Sequence, residues 1–523
     1  MSDKLDEYLW IAVLGTFTGF WYAFGIGAND VANAMASTVA SKSLTLKQAV
    51  IVAGVFEFCG ALFLGASVTT TIRSKIFDYK LYKDEPEIVM LGMMTSLIVA
   101  TFMLLSATQL GLPVSTTHTI VGSITGFSIA AKGFDSIDWE VFKKIIISWA
   151  ASPLVSGAIG FAFFASLRIF VLRSEHSFTR SINTMPVVLT IGIGIDLFYI
   201  LYKGLNNTKF AKDLELKIVL PVSFAVGAGI GLIWMVLIGP IVKRRIEANM
   251  AIKEEAEEAV DAVKKVGFDA EKGGEEEEID VDADTPEEAA LPVVKADAAP
   301  EVVEVAAAEG SLVKKSLFQS FGDNTFNQDL MAQSLHENKK AAQLWADAEV
   351  FDPYAEELFT YIQVFTACLN AFAHGANDVS NAIAPISAII YIYQTGALNS
   401  KSPVQKWILA YGGAGIVLGL LLFGYKIIKA LGFKVTPLSP SRGACAELAA
   451  SLFVVTASFL SIPVSSTQCI TGAVAGVGLA GGVKNVQWFF LARVCTGWVV
   501  VFFVAIVLSA GLFSFCAFSP SLV

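Results

Sequence analysis

Two octapeptides place the same reactive groups twice: Gly27-Ala28-Asn29-Asp30-Val31-Ala32-Asn33-Ala34 and Gly375-Ala376-Asn377-Asp378-Val379-Ser380-Asn381-Ala382. Each stands at the end of an apolar run, Trp10 to Ile26 and Leu358 to Ala373. A carboxylate near mid-bilayer costs about 2.5–3.5 kcal/mol on insertion scales, so one placed there twice needs a partner. Asp30 and Asn33 are three residues apart, as are Asp378 and Asn381. A helix sets such pairs on one face, where their oxygens suit a hard cation.

A second pattern carries hydroxyls. Leu112-Pro113-Val114-Ser115-Thr116-Thr117-His118 is echoed by Ile462-Pro463-Val464-Ser465-Ser466-Thr467-Gln468. Proline lacks an amide hydrogen and is favoured at a helix start, so Pro113 is expected to open a helix or half-helix. The first turn would present free N–H groups beside the hydroxyls, which is an anion site. A lone membrane Ser or Thr usually bonds back to its own helix. Three in a row after a proline, twice, favour a ligand instead. Pro113 follows Asp30 by 83 residues and Pro463 follows Asp378 by 85, so two motifs recur in order at matched spacing, the mark of internal duplication.

The elements that must hold these residues are membrane helices. The 523 residues are 54% hydrophobic and 16% charged, with mean hydropathy +0.62, too apolar for a soluble chain. Apolar runs fall at 9–27, 46–68, 88–110, 114–131, 144–172, 186–203, 216–241, 357–375, 405–430, 443–462, 464–482 and 487–516, giving an all-α polytopic protein of about twelve segments. Seven of them separate the two copies, and an odd number reverses the direction of entry, predicting an inverted repeat with broken helices at a shared midplane site. The expected organisation is residues 1–245 with repeat 1 (10–131) and spans five to seven, an acidic and mostly disordered cytoplasmic loop over 246–356, and repeat 2 within 357–523. The loop explains the net charge of −10: from Glu254 to Glu309 there are 20 acidic residues against 4 Lys, leaving +6 elsewhere. Its Glu-rich middle, Gly273 to Gly310, has too few large apolar residues to fold alone, and Gln328 to Val350 has loosely amphipathic helical spacing. Arg168, Arg173, Arg180 and Lys243-Arg244-Arg245 favour a cytoplasmic loop with both termini outside, against the opposing vote of Arg73, Lys75, Lys80 and Lys83.

The doubled motifs resemble the inorganic phosphate transporter (PiT) family of sodium-phosphate symporters, over roughly 10–245 and 355–515. The resemblance implies an inverted-repeat membrane protein, often a homodimer, coupling inorganic phosphate entry to sodium, with some relatives driven by protons. By position it implies phosphate ligands at Asn29, Asp30, Ser115, Thr116, Thr117, Asn377, Asp378, Ser465, Ser466 and Thr467. Sodium falls to Asp30, Asn33, Asp378 and Asn381, and transport coupling to the membrane glutamates Glu57 and Glu447. Glu447 stands opposite Leu97 and His118 opposite Gln468, so the duplication is imperfect at both places.

Sodium is the expected coupling ion and no cofactor is expected. The bilayer, phosphate and sodium are the partners, without nucleic acid, and the plasma membrane is favoured over an organelle membrane. Competing readings are a proton-coupled phosphate or sulfate symporter and, from another class, an anion channel. No nucleotide loop, HExxH-like motif or nucleophile elbow is present, so no enzyme is expected. His118 and His374 read as packing or hydrogen-bonding histidines, Arg442 as snorkelling to the surface, Arg493 as paired with a buried acid. The sequon at Asn206 falls in a predicted outer loop.

Overall fold

The computed structural model describes residues 7–204, 215–272, 339–400, 402–431 and 434–519. The Asn206 sequon, the acidic middle from Gly273 to Gly310 and residues 328–338 lie outside them. The chain divides into Met1–Ile246 with Phe326–Val523, and Glu247–Thr325. Among the described residues there are helices and no strand.

The first helix does not stop at its motif. α1 (Leu9–Ile26) passes through a π-helical turn (Gly27–Val31) into α2 (Ala32–Ala40), and the whole is long and apolar enough to cross a membrane. There follow α3 (Leu46–Leu64), α4 (Ala66–Ser74), α5 (Pro86–Gln109), α6 (Thr116–Lys132) and α7 (Trp139–Leu167). The second copy answers with α12 (Pro353–Thr395), α13 (Lys406–Phe423), α14 (Tyr425–Leu431), α15 (Pro440–Phe459), α16 (Ser466–Gly481) and α17 (Trp488–Phe518). Between the copies lie α8 (Ser177–Tyr199), α9 (Leu216–Ile233), α10 (Gly239–Lys272) and the short α11 (Lys339–Ala346). Thus 246–272, expected within the loop, is helical, and the amphipathic expectation survives only as α11.

Nine helices among the described residues meet the length and composition of a membrane span. Three expected segments are missing from that set. α6 and α16, at 17 and 16 residues, are shorter than the roughly 20 residues a bilayer requires. α12 is 43 residues long but carries a polar stripe of Gln363, Thr366, Asn370, His374, Asn377 and Asn381, all buried.

Each copy loosens its motif helix by a different device. In the first it is the π turn, a form that recurs at functional sites. In the second, Pro385 lacks the amide that would bond the Asn381 carbonyl one turn back.

The copies interlock crosswise. α3 lies on α12 and α13 on α1, while α6 pairs with α17 and α16 with α7. Glycine permits the tightest approaches: a Cβ on Gly27 would sit 1.8 Å from the Ile416 carbonyl oxygen, and one on Gly419 1.8 Å from that of Phe24. At the equivalent crossing a Cβ on Gly375 would sit 2.2 Å from the Glu57 carbonyl oxygen, and one on Gly60 2.0 Å from that of Phe372. Around this centre α7, α8 and α17 keep only 22% of their spanning windows buried, and side chains such as Phe489, Val507 and Leu154 face outward.

Candidate substrate and ion site

Pro113 and Pro463 do not occupy the first helical turn. They sit in extended loops two residues earlier, and Ser115 and Ser465 cap α6 and α16 by accepting from the amides of His118 and Gln468. Serine wins because its hydroxyl satisfies an orphan N–H that proline would only leave out. The two caps meet, with Ser115 Oγ donating to Ser465 Oγ at 2.8 Å. Two helix N-termini therefore converge, each with first-turn amides that have no carbonyl partner in their own helix.

The aspartates reach across this junction into the opposite copy. Asp30 Oδ2 accepts from Thr116 Oγ1 at 2.7 Å, and its Oδ1 accepts from Thr467 of the second copy. Asp378 Oδ1 accepts from Asn381 at 2.9 Å and, more loosely, from Thr116 and Thr117 of the first copy at 3.4 and 3.5 Å. Asn33 donates to Thr467 Oγ1 at 3.1 Å, and Asn381 to Thr116 and Thr117 at 3.2 Å each. Ser466 lies beside Asp378 without hydrogen-bond geometry. All these side chains are buried.

Asn29 has another task. Its amide donates to Thr108 Oγ1 and the Leu112 carbonyl, and its oxygen accepts from Val114 N. It braces the loop before α6, so its amide and its oxygen are both engaged within the protein. Asn377 braces the equivalent loop through the Val464 carbonyl at 2.8 Å, with its own oxygen left unengaged.

His374, read from the sequence as a packing or hydrogen-bonding residue, does hydrogen-bond, and it does so among the carboxylates at the centre. Its Nδ1 is 2.9 Å from Glu57 Oε2, and its Nε2 lies 3.3 Å from Asp378 Oδ2 and 3.8 Å from Asp30 Oδ1. Both nitrogens thus face carboxylates, with a hydrogen bond at Nδ1 and none at Nε2. The signal available was the stripe on α12, on which His374 falls midway. The glycine crossings align His374 with Ile26 and Glu57 with Ile416, so the crossing of α1 with α13 fills the equivalent place with apolar side chains.

Glu447 does not join the aspartates. It accepts from Ser37 at 2.7 Å, Thr38 at 2.5 Å, Gln363 at 3.1 Å and Thr366 at 2.8 Å. This second polar cluster links α2, α12 and α15, and none of its four donors was singled out from the sequence.

Several buried oxygens at the centre have no hydrogen-bond partner: Asn33 Oδ1, Asp378 Oδ2 and Glu57 Oε1. Asp30, His374 and Asp378 bring possible ligand atoms within 4.8 Å of one another. Carboxylate, carboxamide and hydroxyl oxygens suit hard cations, whereas a single imidazole is a thin donor set for a transition metal. His118, as expected, is a packing residue: it stacks on Trp149 at 3.7 Å and bonds Ser115. Arg442 does not snorkel. It is buried, donates to the Glu349 carbonyl, and lies over the rings of Phe351 and Phe164. Arg493 is exposed and has no carboxylate partner among the described residues.

Residues 26–509, both copies and the crossed centre included, match the Phosphate transporter family. The chain belongs to that family. The transporter is 30% identical to the phosphate-repressible phosphate permease pho-4 of Neurospora crassa, with 99% of each chain covered. It is 29% identical to the sodium-dependent phosphate transporter 2 of Felis catus, over 98% of this chain and 97% of that one. A solved structure titled the sodium-dependent phosphate transporter shares its fold with a TM-score of 0.71 and 26% identity, covering 98% of this chain and all of that one. The transporter is an integral membrane protein and not an enzyme.

Proposed function

We propose that the transporter is a secondary active symporter that moves inorganic phosphate with sodium, through an inverted repeat whose two copies share the crossed centre. The observation that carries this reading is the meeting of Asp30 and Asp378 with Thr116, Thr117 and Thr467 of the opposite copies, beside buried oxygens left without partners. Sodium sits on Asp30, Asn33, Asp378 and Asn381. Phosphate sits at the converged N-termini of α6 and α16, on first-turn amides and the hydroxyls of Ser466 and its neighbours. Ser115 and Ser465 set the two ends in register.

Charge dictates the order. Bare carboxylates repel phosphate, so cations bind first and neutralise the anion that follows. Moving one negative charge inward against a negative-inside potential costs about 2.3 kcal/mol per 100 mV. Two sodium ions per monoanion turn that cost into a drive. The plasma membrane is the setting this coupling suits.

Radiolabelled phosphate uptake in a phosphate-uptake-deficient cell tests the proposal. Replacing sodium by choline should abolish uptake, and Asp30→Asn and Asp378→Asn should each remove the sodium-coupled component at normal surface abundance. His374, held among three carboxylates, favours one alternative, in which protons replace sodium. Uptake that persists in choline and follows an inward proton gradient would establish it and sink the sodium reading.

A further inference from the structure

A groove of about 320 Å³ runs between α7 and α8, floored by α12 and α15. On α8 its lining residues Thr184, Val187, Val188 and Ile191 form one helical stripe. Phe163, Leu167 and Phe170 line the opposite wall. The walls are apolar apart from a few hydroxyls, and rim side chains such as Phe170 (65%) and Val187 (56%) are exposed.

The α8 stripe continues one turn back to Arg180, whose Nη1 donates to the carbonyl of the lining residue Phe170 at 2.6 Å. Arg180 is exposed and has no carboxylate partner among the described residues. Arg173, at the same end, is half exposed and shares a single carboxylate, Glu349, with Arg168 at 2.8 and 2.6 Å. Partial burial works against the Glu349 charge, but the two arginines outweigh it and hold that carboxyl below its ordinary range. Glu175 in the intervening turn and Asp352, which accepts from Ser177, are the other charges here, and neither pairs with Arg180.

In a bilayer an apolar wall selects nothing, because lipid tails already solvate it. Selection must come from the charged end, and basic pockets at helix ends bind anionic headgroups. We propose that this groove takes one acyl chain of an anionic phospholipid, with the headgroup phosphate on Arg180 and Arg173. The chain's far end abuts Thr366, a donor to Glu447, so the lipid lies against the second polar cluster.

Native mass spectrometry of the full detergent-solubilised chain tests this, with dioleoylphosphatidylglycerol and dioleoylphosphatidylcholine as probes. The glycerol lipid should be retained in preference to the choline lipid. Arg180→Gln should weaken its retention about fivefold, the size of one basic side chain's attraction to an anionic surface. Val187→Trp, which fills the groove, should abolish it, and Arg493→Gln, at an exposed position outside the groove lining, should change nothing. Equal retention of both lipids would overturn the proposal, as would an Arg180→Gln effect no greater than that of Arg493→Gln. Displacement by millimolar inorganic phosphate would mean that the arginines take the free anion. A dimer broken by Val187→Trp, with lipid retention unaltered, would mean that a second copy covers the groove.

Discussion

Take away the His374 ring and Asp30, Asp378 and Glu57 are left facing one another in a buried space with no imidazole between them. Breaking such a buried pairing typically costs about 3–5 kcal/mol. His374→Gln, which keeps much of the volume without the charge, should lower phosphate uptake at least tenfold and shift its sodium dependence, measured at matched surface abundance; unchanged uptake would reduce His374 to packing. Sequence alone left this role open because its chemistry depends on carboxylates from the π-helical turn after α1, from α3 and from α12 itself. The doubled Asp, Asn, Ser and Thr were legible because their own repetition marks them. The bracing by Asn29 was not legible: a carboxamide beside a carboxylate reads as a ligand, and only the folded loop shows its donors and acceptor engaged by Thr108, Leu112 and Val114. Glu447 was visible as a membrane charge, but its four donors come from two helices distant in sequence.

At the scale of the helices, the crossings at Gly27 and Gly419 set how closely α1 and α13 approach. Gly27→Val would drive a side chain into the Ile416 backbone, which cannot yield as a side-chain tip can. We expect that variant to lose monodisperse, folded protein in size-exclusion chromatography. Gly111→Ala is the control: it has open space around it and a φ of +65°, so it should cost only about 1–2 kcal/mol from the left-handed backbone and leave the elution profile intact. The apolar runs located most helices, since hydropathy reports length and burial together. It missed that α12 continues through its motif to Thr395, because its polar residues face other helices. Helix starts after Pro113 and Pro463 were displaced by two residues, since a capping serine competes with proline for the same end.

For the whole molecule, the division at Ile246 and Glu247 separates the substrate machinery from the acidic segment. Deleting residues 273–309 should leave sodium-dependent uptake within twofold of the native chain; loss of uptake at normal surface expression would give that segment a part in transport. Cation-first loading makes a second demand on the intact protein. Phosphate affinity, measured by isothermal titration in detergent, should fall at least tenfold when choline replaces sodium, and equal affinity in both salts would contradict the neutralisation argument.

An oppositely oriented pair of identical halves would have no built-in preference between facing one side of the bilayer and facing the other. Here the crossing of α1 with α13 offers Ile26 and Ile416 where its counterpart, α12 with α3, offers His374 and Glu57. Flipping the chamber therefore moves an ionisable couple into surroundings that its aliphatic counterpart occupied before, and the two orientations differ in energy even with no gradient applied. The resting protein should favour one side, and binding must offset that difference when the loaded chamber turns to the other.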